Sequence, residues 1–216
     1  MIEACIFDLD GVVTDTAEYH YLGWKKMADE ANLHFDRLIN EHLRGVSRKQ
    51  SLQIILRHNN KKLSEQKMKE MMEKKNEYYQ RLLQEISEQD YLPGIKALII
   101  SLRKIGIKTA IASASKNAHV VIHNLKGERL FDFIADGYSV DKTKPAPDLF
   151  LYAAKKMEVS PSKSVVFEDA EAGIQAALSG GFLCVGIGPE ERVGKATLRY
   201  SNTTEIQLEQ ILNLKR

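Results

Sequence analysis

The chain has 216 residues, 44% hydrophobic and 28% charged, which suffices for one ordinary core and a smaller appended domain. Its formal net charge of +2 without a polybasic run argues against nucleic acid or a membrane surface as partner. Two cysteines in apolar runs, Cys5 and Cys184, provide no disulfide framework and fit a reducing compartment. Because the sequence has neither a signal-peptide pattern nor an apolar run of the roughly 18 residues that a membrane span needs, we expect a cytoplasmic protein.

The first predicted element is a buried strand over residues 2–7, followed by the acidic pair Asp8 and Asp10. Alternation along an extended chain points both carboxylates the same way. They follow the carboxyl end of the strand, where ligands bind in open parallel sheets, and Gly11 permits a tight departure of the chain. Two carboxylates this close require a proton or a nearby cation. Taken alone, the pair fits a capped turn equally well.

Residues 17–86 carry no strand signal and are predicted to be helical. A helix over 17–31 follows the possible N-cap oxygens of Thr14, Asp15 and Thr16. A second helix begins at a capping box formed by Ser47 and Gln50, and a third covers 64–86. We therefore predict two domains, an α/β core over residues 1–15 and 91–216, and a helical cap over residues 16–90.

The third predicted helix carries a lysine on its inward side. Its apolar stripe is traced through five residues, Met68, Met72, Tyr79, Leu82 and Ile86. Helical spacing places Lys75 on the same stripe. Lys75 either extends to water from the edge of the stripe or meets an anionic ligand, and both interpretations stay open at this point.

Strands and helices alternate after the turn at Pro93 and Gly94. The predicted strands cover residues 107–112, 133–135, 164–167 and 182–187. The predicted helices cover residues 95–105, 117–126, 148–157, 172–179 and 205–212. This alternation is typical of an α/β fold with a Rossmann-like parallel sheet, helices on both of its faces and right-handed crossovers.

Polar side chains follow three of the predicted strands. Asp8 and Asp10 follow the first, Ser113 another, and Glu168 with Asp169 a third, while Lys144 lies in a loop at the same edge. Such a carboxylate cluster needs a countercharge, and Mg²⁺ suits acidic sites that also bind phosphate. A serine hydroxyl, backbone N–H groups and a lysine form a phosphate cradle. The combination indicates phosphoryl transfer, with an aspartyl-phosphate as a chemically sensible intermediate.

Each of these groups also has a simpler explanation. Glu168 and Asp169 fit the start of a solvated helix, Ser113 fits a helix cap, and Lys144 fits an ordinary surface lysine. Their shared position at successive strand ends favours the common site.

The motifs resemble those of the haloacid dehalogenase-like superfamily. They occur in its order: Asp8-Leu9-Asp10-Gly11, then Ser113 after a strand, Lys144-Pro145 and Glu168-Asp169. Within the superfamily the sequence is most similar to the β-phosphoglucomutases. That similarity rests on the stretches Asp8 to His20, Gly45-Val46-Ser47-Arg48 with Ser51, Lys75-Asn76, Ser113 to Asn117, and Lys144 to Asp148.

The resemblance implies a role for each matched residue. Asp8 would be the phosphorylated nucleophile and Asp10 the general acid and base, positioned by Thr16, His20 and Lys75. The Mg²⁺ ligands would be Asp8, the main-chain carbonyl of Asp10, Glu168 and Asp169. The transferring phosphoryl group would be bound by Ser113, the Ala114 backbone and Lys144. The distal phosphate would be bound by Arg48, Ser115 and Asn117. The sugar would meet Trp24, Gly45, Val46, Ser47, Ser51 and Lys75 from the cap side.

The function that the resemblance implies is interconversion of β-D-glucose 1-phosphate and D-glucose 6-phosphate, with β-glucose 1,6-bisphosphate as intermediate and activator. The partners would be small sugar phosphates, with no nucleic acid or membrane, and a monomer suits a cap that opens and closes. A sugar-phosphate phosphatase would share Asp8, Asp10, Lys144 and Mg²⁺. A non-catalytic module would be expected to lack Asp8 or Asp10, and a receiver domain would not carry the helical insert.

Three regions depart from the β-phosphoglucomutase pattern. Arg44 stands before Gly45 where a lysine is usual, which keeps the charge and changes the hydrogen-bonding geometry. The loop Lys126-Gly127-Glu128-Arg129 and the residues after Gly188 look less alike, and we expect both to lie away from the chemistry.

Overall fold

The centre of the molecule is a six-stranded sheet, in a computed structural model that describes residues 1–215. Every strand pair is parallel, and the strand order is β3-β2-β1-β4-β5-β6. The strands are β1 Ala4–Phe7, β2 Lys108–Ala112, β3 Phe133–Ala135, β4 Ser164–Glu168, β5 Leu183–Ile187 and β6 Leu198–Tyr200. The predicted α/β fold is confirmed, and its order is that of doubly wound nucleotide-binding sheets.

The two faces of the sheet are covered separately. Along β1, Ala4 and Ile6 join one apolar cluster, whereas Cys5 and Phe7 join another, as strand alternation requires. All four side chains are fully buried, which explains why the strands are continuous apolar runs.

The structure has ten α-helices within residues 1–215. They are α1 Ala17–Glu30, α2 Arg37–Glu41, α3 Arg48–His58, α4 Glu65–Leu83, α5 Ile95–Lys104, α6 Ala118–Asn124, α7 Asp148–Lys156, α8 Glu171–Ser179, α9 Glu190–Val193 and α10 Leu208–Leu212. The sequence prediction missed the short elements α2, α9 and β6. It also began the last helix too early, because residues 203–205 form a 3₁₀ turn.

The helices between β1 and β2 have an apolar cluster of their own. Trp24 and Met27 of α1 pack there with Leu52 and Ile55 of α3 and Met71 of α4. The last turns of α4 instead join the core, since Tyr79 and Leu83 belong to the cluster around Phe7. The helical segment therefore packs around its own centre and is tied to the sheet through α4. The exact domain boundaries stay a prediction.

The buried stripe of α4 differs from the predicted stripe at two positions, and at each of them the buried residue is the immediate neighbour of the predicted one. Its buried residues are Met68, Met71, Lys75, Tyr79 and Leu83, so Met72 and Leu82 are only half-buried. Lys75 is 1% exposed, which shows that the interpretation of a lysine extending to water is wrong.

The strand register places the predicted motifs side by side. Phe7 at the end of β1 pairs with Ile111 of β2 and with Phe167 of β4. The residues that follow these three positions therefore converge at one edge of the sheet. The chain winds to opposite sides of β1 when it forms β2 and β4, and ligands bind at such a switch point. No helix within residues 1–215 is long and apolar enough to cross a membrane.

Candidate active site

A buried lysine links two carboxylates at the end of β1 and β4. The Lys144 ammonium group lies 2.5 Å from Asp8 and 2.6 Å from Glu168, and its side chain is fully buried. Burial alone would lower the pKa of Lys144, but the two carboxylates raise it above its usual value. The other oxygen of Glu168 accepts a hydrogen bond from the Ala170 backbone N–H at 2.8 Å. Lys144 is thus a buried lysine paired with two carboxylates and not a surface lysine.

Asp169 lies beside this pair and is approached by two arginines. Its carboxylate accepts a hydrogen bond from Arg44 at 3.3 Å, and Arg192 lies 4.0 Å away. Both arginines also pair with Glu41 of α2, at 3.0 Å and 3.5 Å respectively. The expectation that the residues after Gly188 lie away from the chemistry is therefore wrong.

Three carboxylates here are arranged as a metal site would need. Oxygens of Asp8, Glu168 and Asp169 all lie within 4.8 Å of one another, and all three side chains are buried. Burial and mutual repulsion raise the pKa of Glu168 and of Asp169. A divalent cation with a preference for oxygen ligands would relieve this repulsion, so the donor set fits such an ion. The predicted fourth ligand, Asp10, would contribute only its main-chain carbonyl.

The Asp10 carboxylate points toward the helical side of the cleft. It accepts a hydrogen bond from the Thr16 hydroxyl, and the His20 Nε2 atom lies 3.8 Å from it. Of the predicted capping residues of α1, Thr16 forms no side-chain cap because its hydroxyl is engaged with Asp10, whereas Asp15 accepts a hydrogen bond from the Ala17 backbone N–H at 3.1 Å. Burial, followed by the charge of Asp8, raises the pKa of Asp10 to about 7.

Lys75 belongs to a buried polar cluster next to Asp10. Its ammonium nitrogen lies 3.0 Å from His20 Nδ1, and it lies over the rings of Trp24 and Tyr79. Burial and then the charge of Arg48 lower the pKa of Lys75 well below its usual value. Burial, then Lys75 and Arg48, do the same to the pKa of His20. This side of the cleft is therefore crowded with basic groups.

The loop after β2 presents hydrogen-bonding groups to the cleft. The Ser113 hydroxyl accepts a hydrogen bond from the Ser115 backbone N–H at 3.1 Å, and the Ser115 hydroxyl accepts one from the Asn117 N–H at 3.2 Å. The Asn117 side chain donates to Asn76 of α4 at 2.9 Å. The loop is thus held in place by its own side chains and by the helical segment.

The segment before α3 approaches the core closely. Gly45 has φ of +72°, and a Cβ atom there would lie 2.9 Å from the Ala170 side chain. Ser47 and Gln50 form the predicted capping box, in which the Ser47 hydroxyl accepts a hydrogen bond from the Gln50 backbone N–H and caps α3. Gly11 is similarly constrained, with φ of +85° and its Cβ position 2.6 Å from Asp169. Neither glycine can gain a side chain without strain.

Most of the predicted site residues line one cavity between the sheet edge and the helices. Those that line it are Asp8, Asp10, His20, Trp24, Gly45, Val46, Arg48, Ser51, Lys75, Ser113, Ala114, Ser115 and Asp169. The other predicted residues do not line the cavity but lie next to residues that do: Thr16 bonds to Asp10, Ser47 to Ser51, Asn117 to Ser115 and Lys144 to Asp8, and Glu168 lies beside Asp8 and Asp169. Their individual roles stay predictions.

Several residues of the site were not predicted from the sequence. Arg192 reaches Asp169 from a helix of four residues, and Asn40 and Lys116 also line the cavity. Asn76 accepts a hydrogen bond from Arg48 at 2.7 Å. Single asparagine, lysine or arginine residues carry no local signal for such contacts, whereas Arg44 stands out in the sequence because it replaces the usual lysine before Gly45.

With the geometry described, the chain can be compared with known proteins. A family model for haloacid dehalogenase-like hydrolases matches residues 2–181. The chain belongs to this family. The family's Asp8, Ser113, Lys144 and Glu168-Asp169 motifs fall within the matched region.

Three proteins show what this family member is similar to. Beta-phosphoglucomutase of Bacillus subtilis is 42% identical over 96% of this chain and 93% of its own. The crystal structure of beta-phosphoglucomutase from Clostridium difficile matches with a TM-score of 0.95 and 45% identity, over 98% of this chain and 96% of that one. The phosphorylated carbohydrates phosphatase of Thermotoga maritima is 28% identical, over 99% and 98% of the two chains. The resemblance predicted from the motifs is thus confirmed.

Proposed function

We propose that this chain is a β-phosphoglucomutase, which interconverts β-D-glucose 1-phosphate and D-glucose 6-phosphate through an aspartyl-phosphate at Asp8. The observation that carries the proposal is that one cleft holds anion-binding groups on two opposite sides. Lys144 lies beside Asp8 on the sheet side, and Arg48 lines the helical side. A hexose bisphosphate has two phosphates and requires both. The similarity to proteins named beta-phosphoglucomutase supports it further.

The first chemical step would use Asp8 as the nucleophile. One carboxylate oxygen of Asp8 attacks a phosphorus atom of β-glucose 1,6-bisphosphate, a bond from Asp8 to phosphorus forms, and the bond from that phosphorus to the sugar oxygen breaks, which leaves a glucose monophosphate. Lys144, 2.5 Å from Asp8, would reduce the repulsion between the carboxylate and the phosphate oxygens. The rigid pairing of Lys144 with Glu168 keeps this charge in place throughout.

Asp10 would supply and recover the proton. In the first step it protonates the departing sugar oxygen, and in the reverse direction it takes the proton from the attacking hydroxyl. A pKa of about 7 allows Asp10 to do both near neutral pH. The Thr16 hydroxyl and the nearby His20 imidazole would fix the direction of its carboxylate.

We also propose Mg²⁺ as the cofactor, held by Asp8, Glu168, Asp169 and the main-chain carbonyl of Asp10. The three buried carboxylates fit a hard cation, and the residues that match the superfamily motifs are the same ones. When bound, Mg²⁺ neutralises phosphate charge and orients the transferring group. Binding of Mg²⁺ by the protein is measurable by calorimetry independently of turnover.

The helical segment would limit the access of water to phosphorylated Asp8. It closes over the sheet edge through Gly45 beside Ala170 and through Arg44 at Asp169. Exclusion of water matters because an aspartyl-phosphate that meets water is hydrolysed instead of passing its phosphate to a sugar. Phosphorylated Asp8 would transfer its phosphate to β-glucose 1-phosphate and so form the bisphosphate here. The bisphosphate would then reorient and return its other phosphate to Asp8, which leaves glucose 6-phosphate.

The test is a coupled assay with β-glucose 1-phosphate, Mg²⁺ and a trace of β-glucose 1,6-bisphosphate. Glucose 6-phosphate and free phosphate are followed in parallel. The proposal predicts glucose 6-phosphate without stoichiometric phosphate. Phosphate release without isomerisation would contradict it.

A sugar-phosphate phosphatase is the second candidate, and it is favoured by the similarity to the Thermotoga maritima phosphatase. It would use the same Asp8, Asp10 and Lys144, with water as the final acceptor. The parallel phosphate measurement separates the two functions.

We propose small sugar phosphates as the partners of the chain, with no nucleic acid or membrane, and a monomer as its working form. A monomer suits a helical cap that opens and closes over the cleft. Light scattering of the purified protein tests this, and a dimer would contradict it.

A further inference from the structure

One asparagine of α4 joins the two sides of the cleft. The Asn76 side-chain oxygen accepts a hydrogen bond from the Arg48 guanidinium group at 2.7 Å. The same oxygen accepts a second hydrogen bond from the Asn117 amide at 2.9 Å. Arg48 begins α3 in the helical segment, and Asn117 precedes α6 in the core. The Asn76 oxygen thus accepts one hydrogen bond from the helical segment and one from the core.

A second residue of α4 completes the arrangement. Gln80 lies one turn after Asn76, and its amide donates to the Asn117 side-chain oxygen at 3.2 Å. Residues four apart share a face of a helix, so α4 holds both ends of the Asn117 amide. The orientation of Asn117 is therefore set by the helical segment and not by its own loop alone.

The charge of Arg48 is left uncompensated by this arrangement. Within residues 1–215, Arg48 forms no ion pair, whereas the two other arginines near the cleft, Arg44 and Arg192, each pair with Glu41 and Asp169. The only side-chain acceptor recorded for Arg48 in that range is the neutral amide of Asn76. A partly buried cation without a countercharge is costly unless it serves an anion.

We propose that Asn76 is a positioning residue for the second phosphate group of the substrate: it orients Arg48 and Asn117 toward a shared anion while leaving the charge of Arg48 available. The inference rests on the proposed function and narrows its substrate class to sugars that carry phosphate at two positions during the cycle. Asn76 affects binding of this phosphate through Arg48 and Asn117.

A purely structural role for Asn76 makes the opposite prediction for one substitution. An aspartate at this position has the same shape, accepts the same two hydrogen bonds and adds an ion pair with Arg48. If Asn76 only ties the helices to the core, Asn76→Asp is harmless or stabilising and Asn76→Ala is the damaging change. If Asn76 positions a free cation for an anion, Asn76→Asp is the more damaging of the two, because its charge neutralises Arg48 and repels phosphate.

The experiment compares Asn76→Asp, Asn76→Ala and the control Gln66→Glu, which adds the same charge at an exposed position of α4. Calorimetry measures binding of glucose 6-phosphate, steady-state kinetics give KM and kcat for isomerisation, and thermal unfolding gives Tm. We expect Asn76→Asp to weaken glucose 6-phosphate binding at least about tenfold, more than Asn76→Ala, with no fall in Tm. Gln66→Glu should match the wild type in binding and in kinetics.

Hydrolysis of acetyl phosphate provides the internal comparison, because this substrate has one phosphate. Both Asn76 variants should lose less in this reaction than in isomerisation. In an Arg48→Ala background, Asn76→Ala should cause a smaller further loss of binding than it does in the wild type, because Asn76 acts partly through Arg48.

Retention of wild-type glucose 6-phosphate affinity by Asn76→Asp would overturn the inference, as would a larger loss in Asn76→Ala. The binding measurement does not depend on isomerisation. A wild-type protein that binds glucose 6-phosphate without isomerising its substrate would refute the proposed mutase while leaving the test of Asn76 valid.

Discussion

The two sides of the cleft handle charge in different ways. On the sheet side, the Lys144 cation is locked between Asp8 and Glu168 and is fully buried. On the helical side, Arg48 has a neutral partner, Asn76, and forms no ion pair within residues 1–215. The paired side has fixed charges, which suits a chemical step whose geometry must not vary. The unpaired side has a charge to offer, which suits recognition of an anionic group.

The difference follows from where each side lies in the fold. The sheet side is built from the ends of β1 and β4, whose spacing is set by backbone hydrogen bonds. The helical side is built from α1, α3 and α4, which hold their own apolar cluster. The groups for phosphoryl transfer and the groups for phosphate recognition thus lie in parts of the molecule with separate apolar clusters. Substitutions on the sheet side should affect the chemical step, and substitutions on the helical side should affect binding.

The largest expected effect is on the sheet side, at Asp8. Asp8→Asn removes the nucleophile and should lower turnover by roughly 10³-fold or more. The substitution is nearly isosteric, so the protein should still unfold cooperatively by calorimetry. Substantial residual formation of a phosphorylated enzyme, followed by mass spectrometry, would show that another residue is the nucleophile.

Asp10→Ala should slow phosphoryl transfer by about 10²- to 10⁴-fold, the range for loss of a general acid and base. Its side chain is not one of the three clustered carboxylates, so Mg²⁺ affinity should fall less than in Asp169→Ala. Rapid-quench kinetics and calorimetry measure the two effects. Full mutase activity in Asp10→Ala would refute the acid and base assignment.

A smaller and selective effect is expected on the helical side. Arg48→Ala should reduce isomerisation by about 10- to 100-fold, since hydrogen bonds to charged groups contribute about 1.5–3 kcal/mol. Hydrolysis of p-nitrophenyl phosphate, which lacks a second phosphate, should fall less. Equal losses in the two assays would contradict the role of Arg48 in binding the second phosphate.

The pH dependence of enzyme phosphorylation distinguishes the two sides further. Asp10 must be protonated to protonate the departing oxygen, and its pKa is raised from 3.8 to about 7. Phosphorylation of Asp8 by the bisphosphate should therefore be independent of pH below this value and decline above it, by about tenfold per unit. Asp10→Asn should be slow and lack this limb. A wild-type rate that rises through pH 7–8 would contradict the assignment.

The smallest functional effect is expected in the apolar centre of the helical segment. Substitutions there test which of two neighbouring methionines of α4 faces the apolar cluster. Met71 is buried in that cluster, whereas its neighbour Met72 is only half-buried. Met71→Ala should cost about 2–5 kcal/mol of unfolding free energy, as deletion of a buried side chain does. Met72→Ala should cost clearly less in urea unfolding. Equal costs would favour the stripe predicted from the sequence.

The parts of the site that could be predicted from the sequence are those that follow strand ends. Asp8, Ser113 and Glu168 lie together because parallel strands place their carboxyl ends at one edge, a rule that needs no knowledge of side-chain contacts. Lys75 was detectable because a charge on an apolar stripe is conspicuous. These cases depend on local pattern and topology alone.

The remaining features depend on contacts between distant segments. Arg192 lies on a helix of four residues whose sequence has no helical period, and β6 spans only three residues at the sheet edge. Asn76 is an ordinary polar residue until α3 and the loop before α6 bring their donors to its oxygen. The one-residue error in the stripe of α4 arose because Met71 and Met72 are both apolar, and tertiary packing selects between them.

The difference between the two sides is tested most directly by measuring how much of the phosphoryl group on Asp8 passes to a sugar phosphate and how much passes to water. The enzyme is phosphorylated with acetyl phosphate and Mg²⁺, then mixed with glucose 6-phosphate, and bisphosphate and free phosphate are quantified over time. We expect the phosphoryl group to pass to the sugar phosphate faster than to water, and Arg48→Ala to shift the partition toward water. An equal rate of phosphate release with and without glucose 6-phosphate, in wild type and variant alike, would contradict it.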